Sequence, residues 1–285
     1  MIIDLGNPGV LRLTGSDTPR FCNSMLTNAF RRPGQGGHSG MADSKGRLLA
    51  LLDAWCLAPD QALLVIDGAD VEEVARRLDM YIIMDPIELE DLTSSHGIVH
   101  VVGEDSAAIL EAHGLPVPDG IVAHGGGWIA ATDRCGLSGF DLIGVSLGPD
   151  TSVEVLEGLR IQAGLPRWPV DFGERAFVHE MGLRDRICAF DKGCYVGQEV
   201  INRMDTMGKV NKRLTGLVVD GEGSTGGAVL LGEDQLGVVS SEATVDGRTL
   251  ALAVLRPAAW EPGTELGIAT NSGHLSARSS RLPFE

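Results

Sequence analysis

From Leu214 onward the chain is cut into short β-rich runs, LTGLVVDG, GAVLL, LGVVSSEA and GRTLALAVLRP, separated by glycines. Runs this short cannot make helices that bury a face. Their Val, Leu and Thr content suits pleated strands, so residues 213–285 read as a separate small β-barrel or sandwich. The closing HLSARSSRLPFE reads as a loose tail.

Upstream the pattern alternates between strand and helix. SDTPRFCNSMLTN predicts a helix capped at Ser16 or Asp17, with Pro19 in its first turn and Phe21, Cys22, Met25 and Leu26 on one face. The glycine-rich RRPGQGGHSG lacks the spacing of a phosphate cradle and reads as a mobile connection. Leu48 to Leu57 and QALLVID are apolar or β-rich runs, and Val71, Val74, Ala75, Leu78 and Ile82 recur at helical spacing. GIVHVVGE, GWIAATD and GFDLIGV predict strands, and DSAAILEAHG a helix. TSVEVLEGLRIQAGLPR predicts a helix opened by a Thr151–Glu154 capping box and stopped by Gly164 and Pro166, with Arg160 and Gln162 near its end. The fold class is α+β.

A net charge of -16 disfavours direct nucleic acid binding, whose sequence-independent affinity comes from Lys and Arg. Residues 160–213 differ: ten basic side chains (Arg160, Arg167, Arg175, Arg184, Arg186, Lys192, Arg203, Lys209, Lys212, Arg213) against seven acidic ones make this segment +3. It suits either a mixed-charge surface or a local site for an anionic small molecule. The sequence has neither a basic start followed by a long apolar run nor any uninterrupted apolar stretch of membrane-spanning length, so a soluble cytoplasmic protein without membrane contact is expected. Five widely spread cysteines suggest neither a disulfide framework nor a zinc site. His96 and His100 flank or lie in a predicted strand without a partner nearby, so no histidine is assigned a role and no metal site is expected.

In DKGCYVGQEVINRMDTMGKVNKRL, Gly193 and Gly197 bracket Cys194 and permit tight or left-handed turns that leave the thiol at a bend. Residues 198–204 look helical, so Lys192, Arg203 and the helix dipole would each favour thiolate. Spacing alone also suits a buried structural cysteine. Tyr195 would shield the thiol, stack on a ligand or pack in the core; Trp168 would stack or pack.

K-G-C-Y-V-G-Q-E, Lys192 to Glu199, resembles the signature of the YgfZ family, the bacterial folate-binding branch of the glycine-cleavage T-protein superfamily. SMLTNAF, DSKGRLLALL, LRIQAGLPRW, HEMGLRDRICAFDKGCY and GVVSSEA are similar to further family segments along most of the chain. The resemblance implies a three-domain ring: residues 1–212 form a folate-binding region whose second lobe, roughly 50–135, is inserted in the first, and 213–285 form the carboxy-terminal β-barrel. It implies tetrahydrofolate or a related reduced folate near the centre and a role in assembling or repairing iron-sulfur clusters. The implied clients include radical enzymes that thiomethylate transfer RNA. Cys194 is then the functional thiol, with Lys192 and Tyr195 beside it. Asn28, Arg160, Gln162, Arg167, Trp168, Gln198, Glu199 and Arg203 are the implied folate contacts.

Two departures matter. True aminomethyltransferases carry an Asp pair where this chain has Leu49 and Ala50, which cannot accept a proton, so aminomethyl transfer is not expected. Asp53 nearby reads as an ordinary surface or capping residue. The family's pterin-binding glutamate is Gln162 here, which weakens that contact by about 1–2 kcal/mol, about tenfold in affinity. Two alternatives remain: a folate-dependent one-carbon transferase or demethylase, and a ligand-free scaffold.

Overall fold

The computed structural model describes residues 1–84, 86–208 and 210–285; Lys209 of the basic segment lies outside the described residues. It contains two five-stranded antiparallel sheets and a closed six-stranded barrel.

The first sheet runs in the order Gly36–Ala42, Leu48–Ala58, Gln61–Asp67, Gly9–Thr14, Glu88–Asp91. Helices Thr18–Met25 and Val71–Asp79 cover one face, where Leu11, Leu13, Phe21, Leu64, Ile66 and Leu78 pack together. Asp70 caps the second helix by accepting from the Glu72 and Glu73 N–H groups, which that helix start would otherwise leave orphaned. The second sheet runs Ile2–Asp4, Ile98–Val102, Gly139–Ile143, Gly127–Thr132, Ile121–His124, backed by helix Ser106–Ala112.

These sheets also share a core, in which Val10, Trp55, Leu63 and Val65 meet Ile98, Ile121, Ala130 and Ile143. This explains why QALLVID is apolar on consecutive rather than alternate positions: both faces of that strand are covered. At about 1.5–3 kcal/mol for each large aliphatic side chain buried, the shared core binds the lobes firmly. The barrel order is Arg213–Asp220, Arg248–Leu255, Asp234–Val245, Ala228–Leu231, Glu265–Thr270, Gly273–Ser280, and the last strand pairs with the first. Closure removes the exposed edges such short strands would leave.

Four expectations are corrected. The second sheet begins at Ile98 with an added amino-terminal strand, so the lobe expected at 50–135 starts far later: residues 50–91 belong to the first sheet. Half of the glycine-rich connection is strand Gly36–Ala42, paired with Leu48–Ala58. Ser152, rather than Thr151, caps helix Val153–Gln162. The tail supplies the closing barrel strand, and Phe284 is buried with its N–H bonded to the Gln162 carbonyl.

Helix Val153–Gln162 is tied to the barrel by Arg160, 6% exposed, which donates to Glu157, the Leu165 carbonyl, Asp171 and Ser241 Oγ. Asp171 also accepts from Ser240 Oγ at 2.5 Å and Ser241 Oγ at 2.6 Å. A buried charge pair with its remaining lone pairs satisfied fixes how the barrel seats on the helix.

Candidate functional site

The Cys194 turn is held rigidly from below. Gly197 has φ +83°, and a Cβ there would lie 2.4 Å from the Asp43 carbonyl oxygen. Gly46, also at positive φ, faces it across the contact, with Val200 close above. Two glycines distant in sequence thus let the DSKGR turn and the start of helix Gln198–Met207 touch backbone to backbone. Val196 N–H donates to the Ser24 carbonyl, and Ala189 N–H to that of Thr27. Gly193, by contrast, takes no left-handed conformation.

Cys194 is exposed, whereas Cys22, Cys56 and Cys135 are buried and Cys188 is half-buried. It lines a groove of about 570 Å³ with Arg20, Asn23, Ser24, Phe30, Arg31 and Lys192. The Lys192 ammonium turns inward, donating to the Leu26 and Asn28 carbonyls at 2.7 Å each and lying 5.0 Å from the centre of the buried Tyr195 ring. Burial pulls it down to about 8, offset by the Cys22 and Cys188 sulfurs. Burial holds the Cys188 thiol up at about 11 and raises the Tyr195 phenol. The lysine expected to activate Cys194 therefore ties down the end of helix Thr18–Met25, and its field falls on the two inner thiols. Arg203 is exposed and makes no ion pair among the described residues. Glu199 is exposed and Gln198 half-buried at the helix start.

A cleft of about 2050 Å³ opens between the two sheets, lined by Asn28, Trp55, Phe140, Glu104, Asp119 and glycine-rich segments at 34–37 and 136–139. Of the residues expected to contact folate, only Asn28 lines it. Arg160 is occupied as described. Arg167 pairs with Glu157, Trp168 is buried edge-on against Phe172, and half-buried Gln162 ends its helix beside the barrel.

His38 and Asp133 on the cleft wall belong to a charged cluster that the sequence analysis missed, whose Asp53, Arg134 and Arg186 line a small adjoining pocket of about 60 Å³. His38 Nδ1 lies 2.5 Å from Asp53, and Nε2 lies 2.5 Å from Asp133. Arg186 donates to Asp133 Oδ2 at 2.7 Å and to its main-chain oxygen at 2.8 Å. Burial disfavours the imidazolium, but Asp53 and Asp133 outweigh it and raise His38 to about 9. Arg134 pairs with Asp141, whose other oxygen meets His100 Nδ1 at 2.7 Å. These are corrections: Asp53 is 5% exposed rather than a surface residue, and His100 has a buried carboxylate partner. A signal existed, because Asp53, His100 and Asp141 are single ionisable residues inside apolar strands, a placement that demands a partner. The described residues contain no group able to hold a metal ion, and no helix among them is long and apolar enough to cross a membrane.

Two lobes share a core around a cleft, and a closed six-stranded barrel follows them. A crystal structure of glycine cleavage system aminomethyltransferase T from Bartonella henselae matches all of this chain and 86% of its own, with TM-score 0.84 at 17% identity. No family model matches the chain. A chloroplastic Arabidopsis thaliana protein, At1g60990, is 24% identical over 267 residues, 85% of this chain and 61% of that protein. The Staphylococcus carnosus aminomethyltransferase is 20% identical over 97% of this chain and 84% of its own length. A Parafrankia aminomethyltransferase is 32% identical over 117 residues, 40% of this chain and 32% of that protein. The chain thus spans under two thirds of the Arabidopsis and Parafrankia relatives. The match to the Bartonella structure shows that the chain has the aminomethyltransferase fold, and aminomethyltransferases are among the proteins it resembles in sequence.

Proposed function

We propose that the chain is a cytoplasmic, tetrahydrofolate-binding accessory protein of the YgfZ type, serving the assembly or repair of iron-sulfur clusters in client enzymes through Cys194. The observation that carries this reading is that Cys194 alone among the five cysteines is exposed, at a turn locked in place by Gly197 and Gly46. A thiol meant only for packing has no need of a rigid, open perch. Leu49 and Ala50 support the loss of aminomethyl transfer: Ala50 is fully buried and Leu49 packs against the same core, so no carboxylate reaches the cleft from there.

The cleft suits a reduced folate in size and character, offering Trp55 and Phe140 as apolar walls and the carboxylates of Glu104 and Asp119 as acceptors for pterin donors. Bound tetrahydrofolate would supply a reduced pterin able to carry a one-carbon unit. In a deletion strain, Cys194→Ala should leave client thiomethylation of transfer RNA at the deletion level; full complementation would refute the role of the sulfur. Titration of tetrahydrofolate into wild type and Asp119→Ala tests the ligand, with a fall in affinity expected on removing a carboxylate of the cleft, whereas Gln162→Glu, outside the cleft, should leave affinity unchanged.

One observation favours a second reading, a folate-dependent one-carbon enzyme: the buried His38–Asp53 pair at the cleft wall is a ready acid–base couple. Production of methylene-tetrahydrofolate from a methylated amine, abolished by His38→Gln, would select it.

A further inference from the structure

Asp133 follows strand Gly127–Thr132 of the second sheet, and its carboxylate sits between His38 of the first sheet and Arg186 of helix Arg184–Ile187. The groups facing His38 are Asp53 from strand Leu48–Ala58, Asp133 itself, and Arg186, whose Nη2 is 2.7 Å from Nε2. Arg134 stands behind them, 3.9 Å from Asp53 and 3.5 Å from Asp67. Two cations therefore converge on one carboxylate, and Asp53 neutralises only one of them. With Asp133 withdrawn, one positive charge at this wall of the cleft would lack its partner.

Asp133 differs from its neighbours in two respects. Its side chain is 49% exposed whereas that of Asp53 is 7% exposed, and it lies on the wall of the large cleft. Arg186 would also stay aimed without it, because the guanidinium is held by the main-chain oxygen of residue 133 as well as by the carboxylate. A planar fork beside an imidazolium is the donor set that recognises a carboxylate. Trp55 and Phe140 on the adjoining walls favour an organic anion over an inorganic one.

We infer that the cleft wall at His38 is a carboxylate-binding subsite, built from His38 and from Arg186 in the small pocket directly behind it, in which Asp133, on the cleft side, takes the place of a ligand's carboxylate. The ligand class is a small organic acid: either a free amino acid or the glutamate end of a folate. The subsite needs neither Cys194 nor a cluster, so its test is independent of the accessory reading.

The experiment uses the full chain and its Asp133→Ala variant, titrated with sodium acetate, acetamide, inorganic phosphate, N-methylglycine and p-aminobenzoyl-glutamate. Calorimetry and the ¹⁵N shift of His38 Nε2 give the readouts. Acetate should bind Asp133→Ala at least tenfold more tightly than wild type, raise its melting temperature and move the Nε2 resonance, and adding Arg186→Met should abolish that gain. Acetamide and phosphate should bind at least tenfold more weakly than acetate. Preference between N-methylglycine and p-aminobenzoyl-glutamate names the source of the carboxylate. Equal binding of acetate and acetamide, or of acetate and phosphate, would overturn the assignment, as would acetate affinity unchanged by the substitution. If Asp133→Ala fails to fold without acetate, recovery of its native spectrum by acetate but not acetamide supports the subsite, and no recovery overturns it. In wild type, an Nε2 resonance that none of the carboxylates moves at saturating concentration overturns it too.

Discussion

Replacing Arg160 with methionine separates its role in holding the chain together from a role in binding folate. The arginine makes five hydrogen bonds, to Glu157 twice, the Leu165 carbonyl, Asp171 and Ser241. Methionine keeps the packing of the stem but leaves the Asp171 side chain, 0% exposed, without its counter-charge. Breaking one side of a buried pair costs about 3–5 kcal/mol. Asp171 keeps three donors, Arg167 N–H and the hydroxyls of Ser240 and Ser241, which places the loss near the lower end, about 3 kcal/mol. That corresponds to a drop of roughly 6–12 °C in Tm. Urea unfolding at pH 7 followed by tryptophan fluorescence measures it, and adding Asp171→Asn should restore part of the loss by removing the orphaned charge. A loss below about 1 kcal/mol would refute the reasoning. If stability held while folate affinity collapsed, Arg160 would be a ligand contact instead.

Gly197→Ala should destabilise the chain by about 2 kcal/mol or more, because alanine pays the left-handed penalty and meets the Asp43 carbonyl; an unchanged urea midpoint would contradict this. Iodoacetamide at neutral pH should alkylate Cys194 first, while the buried Cys22, Cys56 and Cys135 react only on unfolding, and peptide mass mapping that found Cys22 labelled in the native chain would contradict the burial pattern. His38 is raised from 6.5 to about 9, so its charged form stabilises the fold: the contribution is complete below about pH 6.5 and is lost as pH rises through 9. The stability difference between wild type and His38→Gln should therefore shrink between pH 7 and 10, and a constant difference would contradict the pairing with Asp53 and Asp133.

Much of the fold was legible because it depends on local pattern. Glycine-separated apolar runs gave the barrel strands, and helical spacing gave Val71–Asp79, since both periods are set by neighbours in sequence. The lobe boundary was not legible. Whether strand Leu48–Ala58 pairs with Gly36–Ala42 or with a later strand is decided by long-range register, and the added amino-terminal strand reaches across 95 residues to Val99. The Cys194 turn was half legible: its glycines are visible, but the reason for Gly197 is contact with residues 43–46, which no local window contains. The His38 cluster was least legible: Asp53 stands out inside an apolar strand, but its partners come from the other sheet and a short helix, which no local window contains.

The cleft and the Cys194 groove share a wall of Ala29, Arg31 and Asp191. The Arg31–Asp191 pair on that wall is exposed on both sides, so it adds little and is screened by salt. What keeps the two sites in fixed relation lies deeper: Asn28 Nδ2 donates to the His38 carbonyl, and the Asn28 carbonyl accepts from Lys192, two residues from the thiol. Both bonds are partly buried, and the second carries a charge, which makes it worth about twice a neutral one. Asn28 thus joins the strand that bears His38 to the turn that bears Cys194. The desolvation that lowers Lys192 is the cost of that joint: although the residue lines the Cys194 groove, its ammonium is committed to the Leu26 and Asn28 carbonyls.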